Sequence, residues 1–138
     1  MQEREVLGIP FANSPYPMWI WDLETLAFLA VNDAATQAYG YSRQEFLAMK
    51  VLDVRPPEDR QKFLEEIDPQ HRIGHSTAEK WRHTKKDGDI FNVTVTSWAL
   101  TFRGRRAELV LARGENIGLA PGRERTPLAG SISLLVPD

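Results

Sequence analysis

An α+β fold, an antiparallel sheet with short helices packed on one face, is predicted by three observations. Order comes first: two short apolar runs, then a stretch of helix-capping signals, then three longer runs with strand periodicity. Turn chemistry comes second, because Lys86-Asp87-Gly88 and Arg103-Gly104-Arg105 join the last three runs by tight turns, which makes those strands adjacent and antiparallel. The third is alternation: Phe91, Val93 and Val95 alternate with Asn92, Thr94 and Thr96, the period of a strand with one buried face. With 138 residues, 42% of them hydrophobic, the chain has enough apolar material for one core and too little for two.

The chain divides into a lead at 1–10, a domain at 11–113 and a Gly- and Pro-containing tail at 114–138. Residues 18–22 read as a first strand and 26–31 as a second, with Leu23-Glu24-Thr25 turning between them. Trp19 and Trp21 fall on one face of the first strand. Asn32 or Asp33 offers an N-cap to a helix over 34–39, and Gly40 ends that helix in the left-handed conformation. Ser42-Arg43-Gln44-Glu45 has the spacing of a capping box and opens a second short helix through Phe46, Leu47 and Met49. A third helix begins at Pro56-Pro57, with Glu58 and Asp59 in its first turn, Phe63, Leu64 and Ile67 as its apolar face, and Asp68-Pro69 as its end. Strands follow at 79–85, through Phe91 to Val95, and at 107–112, with a further short strand read at 131–136.

Composition excludes several function classes. A formal net charge of −2 gives no electrostatic reason to expect nucleic acid. No run approaches the roughly 20 apolar residues of a membrane span, and Met-Gln-Glu-Arg-Glu-Val lacks the layout of a signal peptide, so the chain reads as soluble and cytoplasmic. The absence of cysteine removes disulfides, thiolate metal sites and cysteine nucleophiles. Only His71, His75 and His83 are available as imidazole ligands, and their spacing straddles a loop, so no metal site is expected. The glycines form no phosphate-cradling motif. Glu58, Asp59, Glu65 and Glu66 share a helix with Arg60 and Lys62, which is the pattern of a solvated face and not of an acid–base pair. No catalytic residue is assigned, and the chain is expected not to be an enzyme.

Val31-Asn32-Asp33-Ala34-Ala35, followed by Tyr39-Gly40-Tyr41-Ser42 and Glu45-Phe46, resembles the N-x-A … (F/Y)-G-Y-(S/T)-x-x-E segment of the PAS family of bacterial signalling proteins. Pro57-Glu58-Asp59-Arg60 resembles the opening of that family's long helix, and the stretch from Trp81 through Asp87-Gly88 to Ser97 resembles its R-x-x-K-D-G hairpin. Each motif alone is weak, but their order over about 70 residues is specific. The resemblance implies a five-stranded antiparallel sheet whose concave face, closed by helices, can hold a small ligand, and whose outer face meets a partner. It implies a sensory input and dimerisation module of a signalling protein such as a sensor histidine kinase, linked covalently to an effector domain. A ligand-free interaction module is the alternative, and a small α+β enzyme a more remote one. One departure stands out: the family's last strand commonly ends in A-x-D-(I/V)-T, whereas here Ala112-Arg113 is followed by Gly114-Glu115-Asn116-Ile117.

Cofactor expectations follow from the same resemblance. The family's light-sensing branch needs a cysteine that attacks a flavin, so a flavin photoadduct is excluded. Its haem-binding branch places a histidine on the long helix, whereas 57–67 has none and His71 and His75 follow the Asp68-Pro69 break, so haem is disfavoured. A small organic ligand would be lined by Tyr39, Phe46, Phe63, Trp81, Phe91, Val93 and Val95; the competing expectation, favoured by close packing of interiors, is that these side chains fill the core. Trp98 shares the strand parity of Asn92, Thr94 and Thr96, so it belongs to the outer sheet face. With Phe11 and Tyr16 it is a candidate interface residue of a homodimer formed through the outer face and the lead; equally, the chain's own 11–16 segment can cover it.

Overall fold

The computed structural model describes residues 5–66, 77–114 and 134–135. Strand β1 (Glu5–Pro10) precedes β2 (Met18–Asp22) and β3 (Phe28–Val31). Helices α1 (Asp33–Tyr39) and α2 (Arg43–Leu47), a 3-10 turn (Val51–Val54) and helix α3 (Pro57–Glu66) then lead to β4 (Thr77–Thr84), β5 (Ile90–Phe102), β6 (Arg105–Gly114) and β7 (Leu134–Leu135). Five of these strands form one antiparallel sheet in the order β3-β2-β6-β5-β4, the α+β arrangement expected. Within the segment 131–136, Leu134–Leu135 pairs parallel with β1, for which the sequence predicts no strand.

The local signals act as their chemistry requires. Asn32 caps α1 through its side-chain oxygen, which accepts from the Ala35 N–H at 3.0 Å, and Gly40 closes the helix at φ 88°. The Ser42–Glu45 capping box is formed in both directions, at 3.0 and 2.8 Å. Helix α2 stops at Leu47, short of Met49, because the Met49 carbonyl accepts from the Phe28 N–H and the Val51 N–H donates to the Leu26 carbonyl, drawing this stretch onto the start of β3. At the β5–β6 turn Arg103 and Gly104 both have positive φ, 50° and 78°, the geometry a two-residue hairpin loop demands. The apolar face of α3 is narrower than expected: Phe63 is buried but Leu64 is 44% exposed, since adjacent helical positions point about 100° apart. Ile67, His71, His75 and the Asp68-Pro69 break lie outside the described residues.

The sheet is apolar on both sides. One cluster joins its inner face to the helices, through Trp19, Trp21, Val93, Val95, Val110 and Ala112 against Tyr39, Phe46, Val51, Val54 and Phe63. A second cluster lies on the outer face, through Met18, Ile20, Leu109, Leu111 and Phe102, sealed by Phe11 and Tyr16. Asn32 joins the two layers. Its side-chain oxygen accepts from Met18 N–H as well as Ala35 N–H, and its amide nitrogen donates to the carbonyls of Phe11 and Tyr16, both at 2.9 Å.

Asn32→Asp preserves shape and the cap but turns two donors into an oxygen facing two carbonyls. It is expected to cost about 3 kcal/mol in urea unfolding at neutral pH, whereas Asp33→Asn at an exposed ion pair should cost less than about 1 kcal/mol.

Candidate functional site

Alternation along the strands aims one set of side chains at the helices. From β2 come Trp19 and Trp21, from β4 Trp81 and His83, from β5 Val93, Val95 and Ser97, and from β6 Glu108, Val110 and Ala112. The rings pack edge to face: Trp19 meets Tyr39 at 5.6 Å and Phe28 at 5.9 Å, Phe63 meets Trp81 at 5.6 Å, and Tyr39 meets Phe91 at 5.4 Å. They leave a cavity of about 20 Å³ between the sheet, the 3-10 turn and α3, room for roughly one water.

The seven candidate pocket residues divide. Phe63, Trp81 and Val95 line this cavity, together with Trp19, Trp21, Val51, Val54 and Val110. Tyr39, Phe46, Phe91 and Val93 do not line it; they belong to the packed cluster beside it, and Val93 also borders a separate open cleft.

Three polar residues line the cavity that sequence reasoning missed: Arg55, Ser97 and Glu108, all buried. The Arg55 guanidinium stacks on two rings, its central carbon 3.7 Å from the Phe63 centroid and 4.7 Å from that of Trp81. A guanidinium tolerates this burial because it is weakly hydrated, and the ring faces attract its charge. Glu108 was visible as the one charge inside the apolar run 107–112, on the inner parity of Val110 and Ala112. Arg55, next to Pro56-Pro57, gave no periodic signal.

Next to the cavity, the Tyr39 hydroxyl and His83 Nδ1 are 2.6 Å apart, and both side chains are fully buried. Burial holds the imidazole well below its usual range, and the positive charge of Arg55 pushes in the same direction. Burial raises the Tyr39 hydroxyl, with the Arg55 charge opposing. A neutral imidazole bonded to a neutral phenol follows.

The open cleft, about 540 Å³, is bordered by Asp59, Lys62, Lys80, Arg82, Asn92 and Arg113 among others. Arg82 is engaged there: it donates to both Asp59 oxygens at 2.9 Å and to Glu58 at 3.0 Å. The Arg82 hydrogen bonds hold the Asp59 carboxyl below its usual range despite some desolvation.

On the outer face Phe11 and Tyr16, named both as interface candidates and as the chain's own cover for the sheet, are buried within the chain, where Asn32 fixes their carbonyls and their rings seal the sheet. Trp98 is half-buried in the same cluster, beside Leu100, Leu29 and Ala30. Among the described residues no group of three or more His, Cys, Asp or Glu side chains could hold a metal ion, and no helix is long and apolar enough to cross a membrane.

His83 binds fewer protons in the folded than in the unfolded chain, whose imidazole titrates near 6.5, so it subtracts stability as pH falls below about 6.5 and subtracts none well above it. The imidazole NMR signals of His83 are expected to keep their neutral form as pH falls through about 6.5, where an unburied imidazole titrates, while urea stability falls as pH drops below about 7. Titration of His83 near 6.5 in the folded protein would contradict its burial.

The sequence matches the PAS fold family over residues 11–117. A crystal structure of a PAS domain from a two-component sensor histidine kinase is 28% identical, with a TM-score of 0.64 over 75% of this chain and 88% of that one. A domain of the sensory box sensor histidine kinase/response regulator from Geobacter sulfurreducens is 27% identical, with a TM-score of 0.58 over 75% and 86%. The PAS domain of a Colwellia psychrerythraea protein shares the fold at 16% identity, with a TM-score of 0.66 over 77% and 91%. No curated protein matches the sequence. With the family matched over most of its length and the five-stranded sheet and helical cover in place, this chain belongs to the PAS fold family.

Proposed function

We propose that this PAS domain is a cytoplasmic sensory input and protein-interaction module of a signal-transduction protein of the sensor-histidine-kinase kind. It biases a covalently linked effector domain through changes in packing and carries no catalysis of its own. The observation that supports this most directly is a single sheet layer buried on both faces. In β2, Trp19 and Trp21 meet the helices while Met18 and Ile20 meet the outer cluster. In β6, Glu108 and Val110 line the cavity while Leu109 and Leu111 pack outside. A close-packed layer cannot absorb a change on one side alone, so a rearrangement among the inner residues is passed to the outer face. The two sensor-kinase relatives above support the setting.

The output route is the end of β6. Gly114 pairs with Val93, and a Cβ there would lie 2.6 Å from the Asn92 carbonyl oxygen and 3.3 Å from Val93 Cα. Glycine allows the two strands to meet at the exit, at the place where the PAS resemblance would put a coupling carboxylate nearby.

The small inner cavity favours a tightly packed resting state, in which a ligand acts by replacing something already there. The ligand-free interaction module is the second reading, favoured by the same small volume. In both, the domain pairs as a homodimer through the outer face and the lead, with half-buried Trp98, Leu100 and Leu29 at the contact, since aromatic and apolar side chains gather at the core of such interfaces.

Light scattering at about 100 μM is expected to give twice the chain mass for the wild type and the single chain mass for Trp98→Glu, because one charge at the centre of a standard interface outweighs its affinity. A wild-type chain that stays monomeric at that concentration overturns the dimer.

A further inference from the structure

Four aromatic residues, Trp19, Trp21, Phe63 and Trp81, surround the inner cavity, and the acid Glu108 stands among them. This is the composition of a site for an organic cation: ring faces attract positive charge, and a buried carboxylate supplies the counter-charge. With the Arg55 side chain displaced it suits an anion poorly, since the rings and Glu108 then oppose negative charge.

The chain itself supplies a cation to this place. Arg55 lies over Phe63 at 3.7 Å and over Trp81 at 4.7 Å and lines the same cavity. With the guanidinium in place only about 20 Å³ remains, so a second cation does not fit beside it. Arg55 also stands at a joint. Its backbone is extended, at φ −114° and ψ 142°, between the 3-10 turn and Pro56-Pro57, and its carbonyl accepts from Arg60 Nε on α3 at 3.2 Å.

We propose that the inner cavity is a cage for a small organic cation of the quaternary-ammonium or guanidinium class, held closed by Arg55, and that such a cation enters by displacing the Arg55 side chain. This rests on the ligand-sensing reading above and gives it a chemical class. Occupation is exclusive: either Arg55 or the ligand sits among the rings. Release of Arg55 frees the start of α3 to move, so the ligand has different contacts in the two packings, which is what a population shift requires.

The test is titration of Arg55→Ala and wild type with tetramethylammonium and with low millimolar guanidinium, followed by tryptophan fluorescence and amide NMR, with sodium chloride at equal ionic strength as control. Arg55→Ala is expected to bind saturably at least about tenfold more tightly than wild type, and adding Glu108→Gln to weaken that binding at least about fivefold. A folded Arg55→Ala protein with no saturable response overturns the cage. Should that variant not fold, the wild type decides: tetramethylammonium up to about 100 mM is expected to shift the Arg55 Nε–H resonance toward its solvent-exposed position, and an unmoved resonance overturns the proposal. Native mass spectrometry separates this from the broader reading. A neutral or anionic molecule retained by the wild type sinks the cage and leaves ligand sensing standing, whereas bare protein together with no cation response sinks both.

Discussion

The side-chain amide of Asn32 bonds four backbone groups in three parts of the chain: the N–H groups of Met18 and Ala35 and the carbonyls of Phe11 and Tyr16. A buried amide is costly unless its donors and acceptors are met, and here two donors and two acceptor sites are all used. One residue thereby fixes the start of β2, the first turn of α1 and the segment 11–16. Without it, Phe11 and Tyr16 would be held on the outer face by ring packing alone, and the cover of Met18, Ile20, Leu109 and Leu111 would be weakened. The helical layer and the outer seal share a single anchor.

A second clamp stands at the far end of the sheet. Asp22 accepts from the N–H groups of Glu24 and Thr25 and from Arg105 at 2.6 Å, tying the β2–β3 turn to the start of β6. Burial works against its ionised form, but those hydrogen bonds and the Arg105 charge outweigh it, and the carboxyl stays below its usual range. Between the clamps lie the buried polar residues of the cavity, Arg55, Ser97 and Glu108. Arg55 and Glu108 are buried charges, and a buried charge is weak evidence for stability but is strongly destabilising once its surroundings are removed.

Much of this was legible because it is local. Asn32 as cap, Gly40 as helix end, the Ser42–Glu45 box and the turn at Arg103-Gly104 are each set by a few neighbouring residues, and the alternation from Phe91 to Val95 assigned faces without any knowledge of partners. What escaped depends on tertiary placement. For Phe11 and Tyr16 the choice between an interface and cover for the chain's own sheet stayed open, because nothing local shows that Asn32 holds their carbonyls. Met49 was drawn out of α2 by backbone bonds to β3. The cavity's chemistry was missed because Arg55 sits in a non-periodic stretch, and Glu108 and Ser97 were absorbed into runs read only for their apolar members. Trp98 was placed on the correct face by parity alone.

Coupling of inner and outer faces through the Asn32 anchor is most directly measured by amide hydrogen exchange in the wild-type protein. The N–H groups of Met18 and Ala35, which donate to the Asn32 side chain, are expected to exchange as slowly as the central-strand amides of Leu109 and Leu111, since all of them should open only when the sheet does. Exchange of Met18 and Ala35 at loop rates, with Leu109 and Leu111 still protected, would show that the lead comes away independently of the sheet and would contradict a shared anchor.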